Sequence, residues 1–475
     1  MKRQRFCGLC LLLLLASCAG AAEPSTDAEA RLRVAIQLAR EKNDRALVGR
    51  VSAAQRALRE QPDEEKLRVL EREVGIDPGG WSMHGLKIFR PTPEFLARRD
   101  ALNRALNDAM QKDVAAVLAV CADVRQLLGE QAGVPDARRE GERAEPKPLT
   151  QADAARLFIA ALESEKKGLR EISAGKTIGT NKPRFYAEII QGCCEARPAV
   201  QKFLPEKLGD LDKLLAGACA ILLRLQQPDG FFPLPDLRGK DIRFGEMIEK
   251  QIAGHPEAVK DGWIVRADSE GGTQFDSGLC GVALLTAGAT MQRAEWTQAG
   301  RRAADWALAQ PCVMNFNYKA FSVGLLAHAF RVTGDARYLA GALHKVELGV
   351  LPGQTANGRW LDPHNARTVY HLIILRALHD LAEALPAEKK AEREEILQAS
   401  ARATGALLDE FEKAGITASA LRELQRHAAL LPHPDVRLNA MLELNRAVIV
   451  QKCQRGDRVK LAVALTELAA LTTLR

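Results

Sequence analysis

Residues 358 to 381, GRWLDPHNARTVYHLIILRALHDL, place Arg367, Tyr370 and His371 at i, i+3 and i+4, with His364 and Asn365 just before them. At about 100° per residue these three share one helical face, which Ile374 and Leu378 continue. The stripe is polar at its start and apolar beyond. A solvent-facing helix would keep its polar stripe to the end, whereas a helix lining a pocket carries polar groups at the mouth and apolar ones deeper. Arg, Tyr, His and Asn are also the groups that β-elimination of a uronate requires. A base takes the proton at C5, an acid serves the leaving oxygen, and a cation or amide neutralises the carboxylate so that the proton becomes acidic.

The elements that must position these groups are helices of two alternating kinds. DSGLCGVALLTAGA (276 to 289), NYKAFSVGLLAHAFRV (317 to 332) and NARTVYHLIILRAL (365 to 378) are small-residue and nearly unbroken apolar. EWTQAGRRAADWALAQ (295 to 310), ARYLAGALHKVELG (336 to 349) and EKKAEREEILQASARATGALLDEF (388 to 411) carry a charged stripe. A helix apolar on all sides is buried all round and one with a charged stripe lies outside, so each pair forms an αα-hairpin. Hairpins repeating every ~45 residues bury their faces only against neighbours, which favours a closed ring or a solenoid. Strand-like alternation is nearly absent. The class is all-α.

The phrases LLRLQQPDGFFPLP (222 to 235) and AHAFRVTGDARYLAGA (327 to 342) resemble the outer-helix ending and the inner-to-outer turn of the α/α-toroid enzymes. That superfamily of ringed helical hairpins includes polysaccharide lyases, glycosidases and terpenoid cyclases. The likeness covers residues 150 to 412 and implies an (α/α) toroid whose active site lies where the inner helices begin. The segments brought together there would be 183 to 186, 271 to 276, 315 to 318 and 362 to 367. Asn365, His371, Tyr370 or Tyr318, and Arg367 resemble in type the catalytic set of the toroid lyases. Arg184, Asp276, Asn317 and His364 would contact substrate, and Trp263 and Trp360 would offer flat faces to a sugar ring. The implied substrate is an acidic glycan.

Other readings stand beside this one. A glycoside hydrolase would need two carboxyl groups flanking the sugar, roughly 5 to 10 Å apart, and Asp229, Asp236, Asp268, Glu270, Asp276 and Asp362 are candidates. The loop 266 to 278 could also hold a Ca²⁺ ion, although it lacks the EF-hand spacing; no other cofactor is implied. In a non-catalytic glycan-binding or scaffold module, Asp276, Asn317 and Asn365 would be helix caps. Tyr318, Tyr370 and His371 would then be core groups bonded to a neighbouring backbone, with His328 and His379 structural or at the surface.

The N-terminus bounds the compartment. Lys2, Arg3 and Arg5 precede an apolar run too short to span a bilayer. Leu15-Ala16-Ser17-Cys18 resembles the lipobox of bacterial lipoproteins, which implies lipidation at Cys18 and a membrane anchor; cleavage after Ala19-Gly20-Ala21 would instead release a secreted protein. The expected location is the periplasm or cell envelope. Amphipathic helices fill 28 to 130 apart from a Gly- and Pro-rich break at 75 to 93, a charged linker spans 131 to 148, and residues 413 to 475 supply helices that could complete the ring. Net charge is +7, or +4 without the three signal cations, too little for a nucleic-acid partner. There is no HExxH, no GxSxG and no CxxC beyond the signal, and AGKT (174 to 177) lacks the first glycine of a P-loop.

Overall fold

The computed structural model describes residues 81–83, 86–88, 93–129, 133, 141–164, 166–178, 181–238, 248–249, 251–267, 271–313, 315–362, 365, 367–431, 435–455 and 461–473, together with Arg50, Lys66 and Val69. The chain forms two compact units, Met1–Ala101 and Leu102–Arg475. In the first, β1 (Trp81–Met83) pairs antiparallel with β2 (Leu86–Ile88), Trp81 opposite Ile88. This hairpin lies in the stretch where glycine and proline break the helical pattern.

The fold is all-α. Fifteen helices are described: α1 (Pro93–Ala109), α2 (Val114–Leu128), α3 (Gln151–Ser164), α4 (Lys166–Ser173), α5 (Pro183–Phe203), α6 (Leu208–Leu225), α7 (Gly272–Met291), α8 (Ala294–Ala309), α9 (Phe316–Thr333), α10 (Ala336–Gly349), α11 (Thr368–Ala384), α12 (Lys390–Ala414), α13 (Leu421–Leu430), α14 (Leu438–Gln454) and α15 (Leu461–Thr472). A small sheet of order β3 (Leu234–Pro235), β5 (Trp263–Ile264) and β4 (Val259–Lys260) sits in the long connection before α7.

Within the second unit, helix α5 packs on α7, α7 on α9, α9 on α11, α11 on α13, α13 on α15, and α15 back on α5. The contact order therefore closes on itself. Each member also packs on a second helix: α5 with α6, α7 with α8, α9 with α10, α11 with α12, α13 with α14, and α15 with α3. We call the closed set inner and their companions outer. Side-chain burial follows the sequence pattern. Helix α7 buries residues on every side, including Thr273, Asp276, Leu279, Gly281 and Leu284, whereas α8 buries one stripe, Trp296, Ala299, Ala303 and Ala307.

Neighbouring inner helices run parallel, because their contacts advance together. Arg184 near the start of α5 meets Asp276 near the start of α7. Further along, His328 meets Asp380, and Arg331 meets Glu383 one turn later. Short connections enforce the return. Gly334 (φ 71°) ends α9 in the left-handed conformation that glycine adopts without strain, and Asp335 immediately caps α10 by accepting from Arg337 N at 3.0 Å.

Two loops carry the same clamp. Gln226 Nε2 donates to Gly230 O (3.0 Å) and to Ala299 O of α8 (2.8 Å), while Arg302 donates to Gln226 Oε1 (2.7 Å). Gln354 Nε2 donates to Gly358 O (3.1 Å) and to Ala399 O of α12 (2.9 Å), while Arg402 donates to Gln354 Oε1 (2.8 Å). Both glycines have positive φ, and a Cβ on either would lie 2.1 Å from a carbonyl oxygen of the outer helix. The repeat is Gln-x-x-x-Gly-x-aromatic, its last members being Phe232 and Trp360, both fully buried. Only its first copy is used above as a mark of the fold. The second explains why Trp360 is a packing residue.

Residues 141 to 144 do not run free beside the helices. Gly141 N donates to Ala414 O (2.7 Å), and Glu142 and Ile416 exchange both backbone bonds (3.0 and 2.9 Å). Among the described residues no helix is long and apolar enough to cross a membrane.

Candidate functional site

An open cavity of about 730 Å³, within the range of ~300 to 1,000 Å³ usual for small-molecule sites, lies among the inner helices. Its wall is built from the middle and later turns of α5, α7, α9, α11 and α13, with Leu442 and Arg446 of α14 and Thr473. Small residues, Gly278, Ala320, Gly324 and Ala377, let the helices approach and keep the lumen open, and Leu279, Val282, Phe321 and Ile373 supply the apolar part.

Charge is concentrated on α9, α11 and α13. Arg426 donates to Asp380 (2.7 Å) and to Glu383 (2.9 Å), and lies 3.5 Å from Glu423. His328 Nε2 is 3.3 Å from Asp380 Oδ1, and Arg331 is 3.2 Å from Glu383. Arg422 of α13 pairs with Glu195 of α5 through two bonds. Burial by itself would raise the Asp380 carboxyl, but Arg426 and His328 beside it hold it well below the ordinary range. Glu423 is likewise buried and is held down to about 2 by Arg426, His379 and Arg376. Both are therefore carboxylates at neutral pH.

Arg376 differs from its neighbours. Its Nε donates to Glu423 Oε1 at 2.9 Å, no acceptor among the described residues takes its two Nη groups, and its side chain is 38% exposed at the cavity wall. A guanidinium has five donors in a fixed fork. Here the outer four meet no described acceptor in an open, partly apolar cavity. Five arginines (Arg331, Arg376, Arg422, Arg426, Arg446) stand in this wall against three carboxylates (Glu195, Asp380, Glu383), with Glu423 just behind. Arg446 is paired with Glu443 of its own helix, and Arg376 meets one acceptor among the described residues, Glu423.

The residues singled out from the sequence lie elsewhere. Arg184 and Asp276 are brought together, Nε to Oδ1 at 2.7 Å and Nη2 to Oδ2 at 2.5 Å, and Asp276 is fully buried. The same guanidinium stacks 3.6 Å above the Phe275 ring, which stacks on Phe321 at the cavity wall. Arg367 is buried with its guanidinium over the Tyr370 ring (5.4 Å), and Tyr370 is half-buried. His371 does not join them in an opening. It is fully buried against Trp360 and lies 2.8 Å from Ala403 O of outer helix α12. Burial, and then the nearby Arg359 charge, keep its imidazole neutral, its pKa well below the ordinary value.

Trp360 Nε1 donates to Val350 O (2.9 Å) and the ring is wholly covered, so it offers no face to a sugar. Trp263 on β5 is half-buried and packs against the core. Asn317 and Asn365 are buried, and neither side-chain amide has a hydrogen-bonding partner among the described residues. Tyr318 is nearly buried, beside Gly271. His364 and Cys18 fall outside the described residues, as do Asp268 and Glu270. The capping expectation is corrected: Gly271, Asn315 and Arg367 occupy the N-cap positions of α7, α9 and α11. These helices start elsewhere than the apolar runs suggest, so Asp276 and Asn317 lie inside them and Asn365 precedes α11.

The stretches that lead into α9 and α11 are held by residues from α2 and its flanks. Gln111 donates to Cys312 O (3.0 Å), Arg125 to Pro352 O (2.9 Å) and to Gln354 O (3.2 Å), and Asn357 to Gly133 O (3.0 Å). Among the described residues no group of three His, Cys, Asp or Glu side chains is placed to hold a metal ion.

The lumen groups were within reach of sequence reasoning. Arg376, Asp380 and Glu383, and likewise Arg422 and Arg426, are charges at helical spacing, the first three inside an otherwise apolar helix. Attention to helix starts alone passed over them. No protein-family model matches the chain, and no curated protein matches it.

Proposed function

We propose that the closed order of inner and outer helices is an α/α toroid and that its lumen takes a carboxylate-bearing glycan, a uronate oligosaccharide or chain end, in an exported and lipid-anchored protein. The observation that carries this reading is Arg376. Its Nη groups have no acceptor among the described residues, and its side chain stands in the cavity wall on an arginine-rich surface. A guanidinium fork matches a planar carboxylate with two parallel charge-assisted bonds. The apolar wall supplied by Leu279, Phe321 and Ile373 suits the non-polar faces of a sugar ring.

Calorimetric titration of the full chain with uronate oligosaccharides and with their carboxyl-reduced neutral counterparts tests the reading. Binding of the acids, weakened about ten- to hundred-fold by Arg376→Ala, is expected, in line with the roughly 1.5–3 kcal/mol of a hydrogen bond to a charged group. Equal binding of acid and neutral forms, or of neither, would overturn it.

A second reading, β-elimination on the same glycan, is favoured by the pair His328 and Asp380. Asp380 orients the imidazole from one side, and His328 is partly exposed at the lumen. With Nε2–H held by Asp380, Nδ1 is left to take the C5 proton while a lumen arginine neutralises the carboxylate; the double bond C4=C5 forms as C4–O4 breaks, and the imidazolium returns the proton to the departing oxygen. Ultraviolet absorbance of the unsaturated product, lost in His328→Ala, is the readout. Hydrolysis has less support, since Asp380 is held ionised by Arg426 and has no proton to give a leaving oxygen.

A further inference from the structure

Behind the lumen wall, side chains from three helices form a line. Ser400, in the middle of outer helix α12, has its Oγ 2.9 Å from His379 Nε2 on α11. His379 Nδ1 is 2.9 Å from Glu423 Oε2 on α13, and the other oxygen of Glu423 accepts from Arg376 Nε at 2.9 Å. His427 Nδ1 approaches the same Ser400 Oγ at 3.2 Å.

These are the distances of a serine nucleophile with its histidine and acid. The surroundings are not those of one. Ser400 and His379 are fully buried, His427 is 3% exposed, and none of the three belongs to the cavity wall. A nucleophile must reach a carbonyl carbon, and this hydroxyl reaches only two imidazoles.

Two proton arrangements satisfy the line, and both share one bond: Glu423 is a carboxylate, so His379 Nδ1 carries the hydrogen and donates to it. In one, the Ser400 hydroxyl donates to His379 Nε2 and its oxygen accepts from His427 Nδ1–H; in the other, His379 Nε2–H donates to the Ser400 oxygen and the hydroxyl donates to His427 Nδ1. Burial, and then the neighbouring His379, lower His427 to about 4, which keeps it neutral and able to play either part. The shared bond fixes which oxygen of Glu423 is left for Arg376, and so sets the direction of the guanidinium plane.

We propose that Ser400, His379 and Glu423 form a positioning device that holds Arg376 by its Nε, so that its paired Nη groups meet the lumen as a clamp for one planar carboxylate. The inference rests on the lumen being the ligand site. It deepens that reading by naming what makes the site prefer an acid sugar over its neutral or esterified form. The device lies in the rigid packing between α11, α12 and α13. Arg376 is thereby oriented before any ligand arrives.

The test compares the full-length wild type with Ser400→Ala, Ser400→Thr and His379→Gln in two measurements. The first is hydrogen exchange of the Arg376 Nε–H in ¹⁵N spectra, assigned by its disappearance in Arg376→Lys. The second is the ratio of affinities for a uronate oligosaccharide and its methyl ester. In Ser400→Ala and His379→Gln the Nε–H is expected to exchange at least ten-fold faster and the ratio to fall at least ten-fold; Ser400→Thr, which keeps the hydroxyl, retains both. Folded variants with unchanged exchange and unchanged ratio would overturn the proposal. Should Ser400→Ala fail to fold, Ser400→Cys, a weaker donor of similar shape, takes its place with the same expectation. A wild type that binds no uronate overturns the lumen reading, while the exchange measurement, which needs no ligand, still decides the positioning role.

Discussion

Gly324 on α9 faces the carboxylate of Asp380 on α11 so closely that a Cβ at position 324 would lie 2.9 Å from Oδ2. The same carboxylate holds Arg426 and His328. A hydrogen at 324 is therefore what lets α9 and α11 share one charged layer. Gly324→Ala is expected to push Asp380 off Arg426 and to cost about 1–3 kcal/mol, as overpacking of a filled interior does. Urea unfolding of the variant, beside a control Gly405→Ala at a helical glycine with nothing within 4 Å, measures it; equal stabilities of Gly324→Ala and wild type would contradict the expectation.

Arg184 and Asp276 join α5 to α7 where both begin, with the carboxylate wholly buried. Arg184→Met should cost about 3–5 kcal/mol, because it leaves a buried charge without its partner. Arg184→Met combined with Asp276→Leu should recover most of that loss. A double-mutant cycle on unfolding free energies reads the difference, and a single variant as stable as wild type would show that the pair carries no weight.

Lys319 is fully buried, bonded to Val313 O and 3.2 Å from Met110 Sδ. Burial lowers its amine from 10.5 to about 7. A folded value below the unfolded one gives stability that is complete above pH 10.5 and is lost as pH falls through 7. On this shift the loss at pH 7 is on the order of 4 kcal/mol. Lys319→Met, apolar and of similar length, should thus be more stable than wild type at pH 7, with the gap shrinking toward pH 10. A gap that stays constant with pH would rule out the amine as its cause.

Acid stability combines opposed slopes. His427 falls to about 4 and His371 lies well below 6.5, so their stabilising effect is present above pH 6.5 and drains away as pH drops. Glu467 acts the other way: burial raises it to about 7, so its contribution exists below pH 4.5 and disappears as pH rises through 7. Between 4.5 and 6.5 these partly cancel. Below 4.5 the losses from Glu423, held to about 2, and from Asp380 add to those of the histidines. A shallow Tm profile down to about pH 4.5 followed by a steep fall is expected, and Glu467→Gln should steepen the shallow part. Calorimetric scans from pH 3 to 8 decide it.

The proposed export and anchoring rest on Cys18 and the run before it. In a bacterial host, Cys18→Ala should move the protein from the detergent phase to the aqueous phase without changing the fold of the exported chain. Detergent partitioning of an unaltered product would refute lipidation at that residue.

How much was legible beforehand is best seen on α11. Its apolar body and polar first turn identify a buried helix with chemistry-bearing groups, and the structure agrees that it is buried. Yet His371, on the expected stripe, points to Ala403 of α12, while Arg376, five residues on, faces the lumen. A helix buried all round presents every one of its faces to something. Periodicity ranks faces by polarity but does not say which faces an outer helix and which a cavity. Trp360 shows the same limit. It stands in a loop, where a flat ring could as well stack on a sugar as seal a turn, and only the Gln354 clamp on α12 decides.

The amino-acid order alone determined the helical class and the alternation of buried and amphipathic helices, because each depends on local spacing of apolar and charged groups along one segment. The order of contacts that closes from α15 back to α5, the bonds of Gln111, Arg125 and Gly133 to the stretches before α9 and α11, and the meeting of Arg376, Glu423, His379 and Ser400 are decisions of the tertiary structure. They join positions distant in the chain, and which side chain finds which partner is settled by simultaneous packing of helices on all sides, a condition that no single segment contains.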